Sequence, residues 1–365
     1  MGQSLHPAFS MDKVKLKSIL ILRDTTIKSA MQVLNETAEK ILFVVDQRNK
    51  LIGTVTDGDI RRGIINGLGF YDKIESIMYK NYLSIKSNTP NIEEHAIKLM
   101  LEYKIEQIPV LNENGEIINA ILWTDVLGEK GLLQTIQLSH NQVVIMAGGK
   151  GSRLDPFTRI FPKPLIPIGS KPIVEIIMEK FYRNGFYRFI YTLNYKKEYM
   201  KLFLRESKSS YQIDWIEEDD YLGTVGGLFL VRNKIEDSFF LSNCDSLLDI
   251  NFQEVLAWHK EHEACITIIG CHNEFKVPFG VIELSEGRLK SILEKPTHDY
   301  IINTGVYVIE PYAISFISDG ECIDMNVLID RIIKTEKIVV YPIYGSWFDM
   351  GQWEEYKKNL TILTE

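Results

Sequence analysis

Gln142-Val143-Val144-Ile145-Met146-Ala147 runs without a break into Gly148-Gly149-Lys150-Gly151-Ser152-Arg153-Leu154, and a few residues later into Pro162-Lys163-Pro164-Leu165. A short, nearly continuous apolar run bounded by glycines predicts a strand buried on both faces, the kind found in parallel sheets. Glycines just beyond such a strand let backbone N–H groups turn toward an anion and form a phosphate nest. Two phosphate motifs can be tested here and neither fits. A Walker A loop needs Gly-Lys followed by Ser or Thr at its end, and the dinucleotide fingerprint needs a third glycine where Arg153 stands. The loop instead delivers an arginine, and Lys163 follows between two prolines whose fixed φ stiffens its backbone. A bidentate guanidinium and a compact ammonium aimed at one glycine loop suit a substrate with several phosphates.

The whole string from Gly148 to Glu175, GGKGSRLDPFTRIFPKPLIPIGSKPIVE, resembles the signature of the sugar-1-phosphate nucleotidyltransferase family, GGxGTRLxPLTxxxPKPLxPVxxKPxxE. Ser152 for Thr and Phe157 for Leu are the departures. The resemblance continues downstream. Leu222-Gly223-Thr224-Val225-Gly226-Gly227 is similar to the family's LGTAGAL, and Asn243-Cys244-Asp245 to its NGD, with Cys244 in place of glycine. Phe279-Gly280-Val281, Leu293-Glu294-Lys295-Pro296 and Asn303-Thr304-Gly305 resemble the sugar-contacting YGV, EKP and NTG segments. Trp347-Phe348-Asp349-Met350-Gly351 resembles the late WxDxG segment.

The resemblance implies a Rossmann-like α/β fold with a mixed, mostly parallel sheet. It implies nucleotide contacts from Ala147, Gly148, Gly149, Gly151, Glu218, Gly223 and Thr224, and sugar-phosphate contacts from Gly280, Glu294, Lys295, Asn303 and Thr304. Arg153, Lys163 and Asp245 are implied as the catalytic set, and Asp245 and Asp349 as the ligands of Mg²⁺. Hard carboxylate oxygens suit that ion, which one or two carboxylates plus substrate phosphates commonly hold; each Asp alone reads equally as a turn or cap residue. The implied reaction joins a nucleoside triphosphate to a sugar 1-phosphate and releases pyrophosphate. Its nucleophile is already an anion, so positioning and charge neutralisation replace a general base.

Glu218 lies in Glu217-Glu218-Asp219-Asp220, just before Leu222-Gly223. An ionised carboxylate only accepts hydrogen bonds, and guanine presents N1–H and N2–H side by side. That favours GTP, with UTP or CTP behind; four acids in a row read equally as a solvated turn.

Ahead of this domain the same order of events occurs twice. Helical spacing at Ile27, Ala30, Met31 and Leu34 leads to the run Ile41 to Val45, a turn at Asn49-Lys50, then Leu51 to Val55 and Thr56-Asp57-Gly58-Asp59. The second copy has Ile92, Ala96, Ile97, Leu99 and Met100, Gln107 to Leu111, a hairpin turn at Asn114-Gly115, Ile117 to Leu122, and Asp125. This resembles a tandem CBS domain pair, an α+β module. The resemblance implies a regulatory purine nucleotide whose ribose meets Thr56, Asp59 and Asp125, and association into a homo-oligomer. Leu122 replaces the second threonine, so one cleft at most is fully equipped, and helix capping alone accounts for Asp59 and Asp125.

The remaining composition sets limits. A 365-residue chain exceeds one ordinary domain, and 45% hydrophobic with 25% charged residues is a folding composition. The expected division is a CBS pair over 11–130, a linker over 131–141 and the catalytic domain over 142–365. A net charge of −8 argues against nucleic-acid or membrane-surface partners. Without a leader-like start, an apolar run of about 20 residues or a CxxC pair, the expectation is a cytoplasmic protein. His259 and His262 read as a solvated helix face rather than metal ligands. A CBS pair fused before a nucleotidyltransferase resembles the glucosamine-1-phosphate guanylyltransferases of bacterial legionaminic acid biosynthesis. Mannose-1-phosphate guanylyltransferase is the enzymatic rival, and a nucleotide-sensing regulator with an inactive transferase fold is the alternative of a different class.

Overall fold

The computed structural model describes residues 11–37, 39–103, 105–122, 138–206, 211–345 and 347–364. The chain divides into two compact units, Met1–Thr135 and Ile136–Glu365.

In the first unit α1 (Lys13–Ser18) precedes β1 (Leu20–Leu22), α2 (Ile27–Thr37), β2 (Ile41–Val45), β3 (Leu51–Thr56) and α3 (Asp57–Ile65). The second copy supplies β4 (Ile85–Lys86), α4 (Ile92–Tyr103), β5 (Gln107–Leu111) and β6 (Ile117–Leu122). Each copy forms a three-stranded sheet with one pattern. β1 runs parallel to β2 and β2 antiparallel to β3; β4 runs parallel to β5 and β5 antiparallel to β6. The predicted stripe Ile27, Ala30, Met31 and Leu34 is the buried face of α2. Ala96 and Met100 pack with Ile108, Val110 and Ile121 in the second copy. The copies meet through the Leu51 N–H, which donates to the Gly115 carbonyl at 3.1 Å. Met11 N–H adds a bond to Asn119 Oδ1 at 3.0 Å.

Thr56 is the N-cap of α3 and Asp59 closes a capping box with it. Asp59 Oδ2 accepts from the Thr56 amide at 2.8 Å and its hydroxyl at 2.7 Å, while Oδ1 accepts from Arg62 at 2.6 Å. The carboxylate expected to face a ribose is thus engaged within its own helix start, the capping arrangement the sequence also allowed. Asp125 lies outside the described residues. Thr56→Ala removes a cap worth about 1 kcal/mol, so amide hydrogen exchange across Asp57–Ile65 is expected to quicken about fivefold; unchanged protection there would deny the cap that role.

The second unit is built on seven strands: β7 (Ser139–Ala147), β10 (Phe186–Leu193), β11 (Gln212–Glu217), β12 (Phe239–Asn243), β14 (Ile266–Lys276), β17 (Thr297–Ile309) and β18 (Ile338–Tyr344). Four short strands lie outside that sheet: β8 (Pro167–Ile168) with β9 (Lys171–Pro172), and β15 (Val281–Ser285) with β16 (Arg288–Leu293). A further pair, β13 (Ser246–Leu248) and β19 (Trp347–Asp349), is described with the site. The main order is β11-β10-β7-β12-β17-β14-β18. All its ladders are parallel except the two made by β17, so the mixed, mostly parallel sheet expected from the sequence is the one present.

The strand predicted from Gln142 begins at Ser139, inside the stretch read as linker, because Ser139 already pairs with Phe186. Val143 and Ile145 pack on one face with Ile173, Val174, Ile177, Met178 and Phe181 of α5 (Ile173–Arg183). Val144 faces the other layer, with Leu228 of α7 (Leu228–Val231) and Leu328 and Ile332 of α9 (Met325–Ile332). Between them in sequence lie α6 (Lys197–Glu206) and α8 (Phe252–Glu261), and α10 (Trp353–Thr364) follows at the end. Helical cover on both faces is why β7 carries no polar alternation.

His259 corrects one expectation. It is fully buried on α8, its Nδ1 2.8 Å from Thr267 Oγ1 and its Nε2 3.0 Å from Glu310 Oε1. It is a satisfied core histidine rather than part of a solvated face. Among the described residues no helix is long and apolar enough to cross a membrane.

Candidate active site

β7 lies between β10 and β12, where the connections diverge to either side, and open α/β sheets bind ligands at such switch points beyond the carboxyl ends of the strands. The glycine loop leaves β7 there. Gly151 adopts φ +65°, the left-handed region, and opens the single 3₁₀ turn Ser152–Leu154. A Cβ at Gly151 would stand 2.9 Å from Lys163 Cβ and 2.9 Å from Thr158, so the loop rests on the lysine stem and only glycine fits. Arg153 is exposed and has no hydrogen bond or ion pair among the described residues.

Asp245 and Asp349 are 104 residues apart in sequence (349 − 245) and are brought together by the ladder of β13 against β19, with Ser246 opposite Asp349. The Met350 N–H donates to the Asp245 carbonyl at 2.9 Å, and the Gly351 N–H to Asp349 Oδ1 at 2.7 Å. Lys163 donates directly to Asp245 Oδ2. A Cβ at Gly351 would collide with Asp245 Oδ2 and stand 2.9 Å from Asp349 Oδ1 and 3.0 Å from Lys163 Nζ. Three charged groups from three segments therefore converge on one small cradle with a glycine floor.

Burial alone would lower the Lys163 pKa; the charges of Asp245 and Asp349, with the bond to Asp245, outweigh it and hold the ammonium above its ordinary value. Cys244, where the family has glycine, packs into the main core, and burial pushes its thiol up to about 12. It stays protonated near neutrality and is no thiolate ligand. The donors facing the cradle are hard oxygens that already hold one cation, Lys163. Asp245 and Asp349 therefore fit magnesium.

Glu218 follows β11 and is 2% exposed, whereas Asp219 and Asp220 are exposed. The acidic run is thus solvated in part only. Its backbone is fixed by a bond from its own N–H to the Leu193 carbonyl at 2.8 Å and one from Asn194 Nδ2 to its carbonyl at 3.0 Å. Burial raises its carboxyl pKa, opposed by hydrogen bonds from the Leu222 amide and the Thr192 hydroxyl. Glu218 Oε2 is buried without a hydrogen-bond partner among the described residues and lies 3.3 Å from where a Gly148 Cβ would be, at the root of the glycine loop. A Cβ at Gly227 would collide with Oε1, so that glycine makes room for the carboxylate.

The remaining expected residues divide. Thr224 Oγ1 accepts from the Met325 N–H at 2.9 Å and its own N–H donates to Asp324 at 2.9 Å, tying Gly223-Thr224 to the start of α9. The Thr304 hydroxyl donates to the Ile269 carbonyl at 2.8 Å within a buried side chain, so it holds β17 to β14 and leaves only backbone for a ligand. Its carbonyl accepts from Ser246, next to Asp245. Asn303 is exposed and donates to the Tyr307 hydroxyl at 2.7 Å. Gly280 and Glu294 sit together at the open end of the β15–β16 ribbon, just outside the two strands, a Gly280 Cβ falling 3.1 Å from Glu294 Oε2. Lys295 is exposed with φ +46°. Ala147 is buried at the end of β7, and Gly149 is exposed. The sequence assigns Asn194 no part, and places Gly227 and Gly351 in family-like segments without giving either a role of its own; their roles come from neighbours in the fold.

Residues 142–365 match the nucleotidyl transferase family, and residues 15–66 and 74–130 each match the CBS domain. The chain belongs to the nucleotidyl transferase family and carries a tandem CBS pair. It is 31% identical over 232 residues to mannose-1-phosphate guanylyltransferase 1 of Arabidopsis thaliana, a match covering 60% of this chain and 64% of that protein. It is 28% identical over 226 residues to the mannose-1-phosphate guanyltransferase of Schizosaccharomyces pombe, covering 59% of this chain and 62% of that one. The chain thus spans somewhat under two thirds of these relatives. HddC from Yersinia pseudotuberculosis, also solved complexed with GMP-PN, aligns at 25% identity and a TM-score of 0.50, covering 61% of this chain and 99% of HddC.

Proposed function

We propose that this chain transfers a guanylyl group from GTP to a sugar 1-phosphate, releasing pyrophosphate and forming a GDP-sugar. The observation that carries the choice of base is Glu218. A buried carboxylate with an unpartnered oxygen at the root of the nucleotide loop calls for hydrogen-bond donors, and guanine offers two adjacent ones. The guanylyltransferase names of the relatives agree with it. Glucosamine 1-phosphate is the sugar substrate favoured by the fused CBS pair; mannose 1-phosphate is the second reading, favoured by those same relatives.

The transfer is in-line. An oxygen of the sugar phosphate attacks the α-phosphorus, a new P–O bond forms, and the bond to the β-phosphate oxygen breaks with pyrophosphate as leaving group. Arg153, exposed at the loop, binds the triphosphate, whose developing charge it and the loop amides stabilise. Lys163 and Lys295 hold the sugar phosphate. Magnesium, held by Asp245 and Asp349, would supply further charge neutralisation at the phosphates. Orientation of two bound anions against their mutual repulsion is the main task of these residues. A purine nucleotide at the CBS pair would regulate the enzyme; with Asp59 already engaged by Thr56 and Arg62, a ribose would share that carboxylate with both.

Mass-spectrometric analysis of products from each nucleoside triphosphate, paired with glucosamine or mannose 1-phosphate, tests this. GDP-sugar is expected as the main product. UDP- or CDP-sugar in its place would refute the base assignment, and no product with any pair would favour an inactive, nucleotide-sensing protein.

A further inference from the structure

The cradle around Gly351 holds a cation of the protein's own. Lys163 Nζ is bonded to Asp245 Oδ2, and both side chains are largely withdrawn from water, at 17% and 13% exposure. Asp349 Oδ1 faces the same point, held by the Gly351 amide. Two carboxylates this close would repel strongly at reduced dielectric unless a positive charge lies between them. The lysine supplies that charge without any ion from solution.

A divalent cation placed on Asp245 and Asp349 would meet the ammonium at the same oxygen. Two positive charges within a few ångströms in a poorly hydrated cradle repel as two carboxylates do. The backbone of Lys163 is fixed by Pro162 and Pro164, but its side chain is a flexible four-carbon stem. That stem already lies against Gly151 of the anion-binding loop, 3.4 Å separating Cδ from an added Cβ there. An ammonium released from Asp245 is therefore next to the loop at which the phosphates are expected.

We propose that Lys163 is the resident counter-ion of the metal cradle, which a divalent cation must displace, and that displacement frees its ammonium to grip a substrate phosphate. Lys163 then weakens cation binding to the empty enzyme and couples it favourably to phosphate binding. The phosphate half rests on the transfer reaction proposed above; the competition for Asp245 does not. By reciprocity the phosphate tightens the cation as much as the cation tightens the phosphate, typically about 5- to 150-fold.

The test is Mn²⁺ binding to the full-length protein followed by electron paramagnetic resonance, with no nucleotide present. Lys163→Met is expected to bind Mn²⁺ about tenfold more tightly than wild type, and Lys163→Arg, which keeps a cation at the position, to stay near wild type. Equal or weaker binding by Lys163→Met, with circular dichroism unchanged, would overturn the proposal, because a lysine that merely packs the site does not raise metal affinity when removed. Should Lys163→Met not fold, Lys163→Gln replaces it under the same criterion. Glucosamine 1-phosphate, the sugar phosphate favoured above, is then added. It is expected to tighten Mn²⁺ severalfold in wild type and to have a much smaller effect in Lys163→Met. Tighter Mn²⁺ binding in Lys163→Met, together with equal effects of the sugar phosphate on both proteins, would uphold the competition and overturn the phosphate grip alone. That result separates the inference from the substrate reading on which its second half rests.

Discussion

Asp245→Asn is expected to reduce pyrophosphate release by on the order of a hundredfold or more, the usual effect of removing one group that stabilises charge in a transition state. The effect is large because the substitution acts twice. It removes one of the two carboxylates brought together by the β13–β19 ladder, and it leaves Lys163 without its partner in a poorly hydrated cradle. Asparagine keeps the size of the side chain, and the backbone bond from Met350 to the Asp245 carbonyl is untouched, so the fold is expected to persist. The measurement is coupled pyrophosphate detection with GTP and each sugar phosphate, alongside circular dichroism. Turnover within a few-fold of wild type would mean that Asp245 is not at the reacting phosphates.

The sequence was most informative where the chemistry is local. A run that is apolar from Val143 to Ala147, then glycines, then a lysine between prolines predicts a glycine loop at the end of a buried strand, and β7 with Gly148–Gly151 is that arrangement. The repeat in the first unit was legible for the same reason, since each helix, strand and hairpin sits within about 40 residues and reproduces one ladder pattern. Long-range matters were less legible. Nothing in the spacing of Asp245 and Asp349 brings them together; a three-residue ladder does. Thr304 is a polar residue in a segment expected to contact the sugar, yet its hydroxyl joins two strands. His259 sits on a helix rich in charge, but buried Thr267 and half-buried Glu310 draw its ring inward. In each case a tertiary partner far along the chain decides which face a side chain takes, and composition carries no trace of that partner.

Glu218 shows the same limit and leads to the second large effect. Four successive acids read as a solvated turn, but the chain reverses so that Glu218 alone is enclosed by Thr192, Asn194 and Gly227. Replacing Gly227 with alanine puts a methyl group against Glu218 Oε1. The carboxylate must then leave its position or the Gly226-Gly227 backbone must move. If Glu218 reads guanine, Gly227→Ala is expected to lower kcat/KM for GTP by about 10- to 100-fold, the range set by roughly 1.5–3 kcal/mol for a hydrogen bond to a charged group, with a much smaller effect on turnover with UTP. Glu218→Gln should weaken GTP use in the same direction without adding bulk, because the amide offers one acceptor oxygen and sets an N–H₂ against the guanine donors. Kinetics of both variants with GTP and UTP decide the matter. Equal losses with the two nucleotides would make Gly227 a packing residue only, and GTP selectivity unchanged in Glu218→Gln would remove the carboxylate from base recognition altogether.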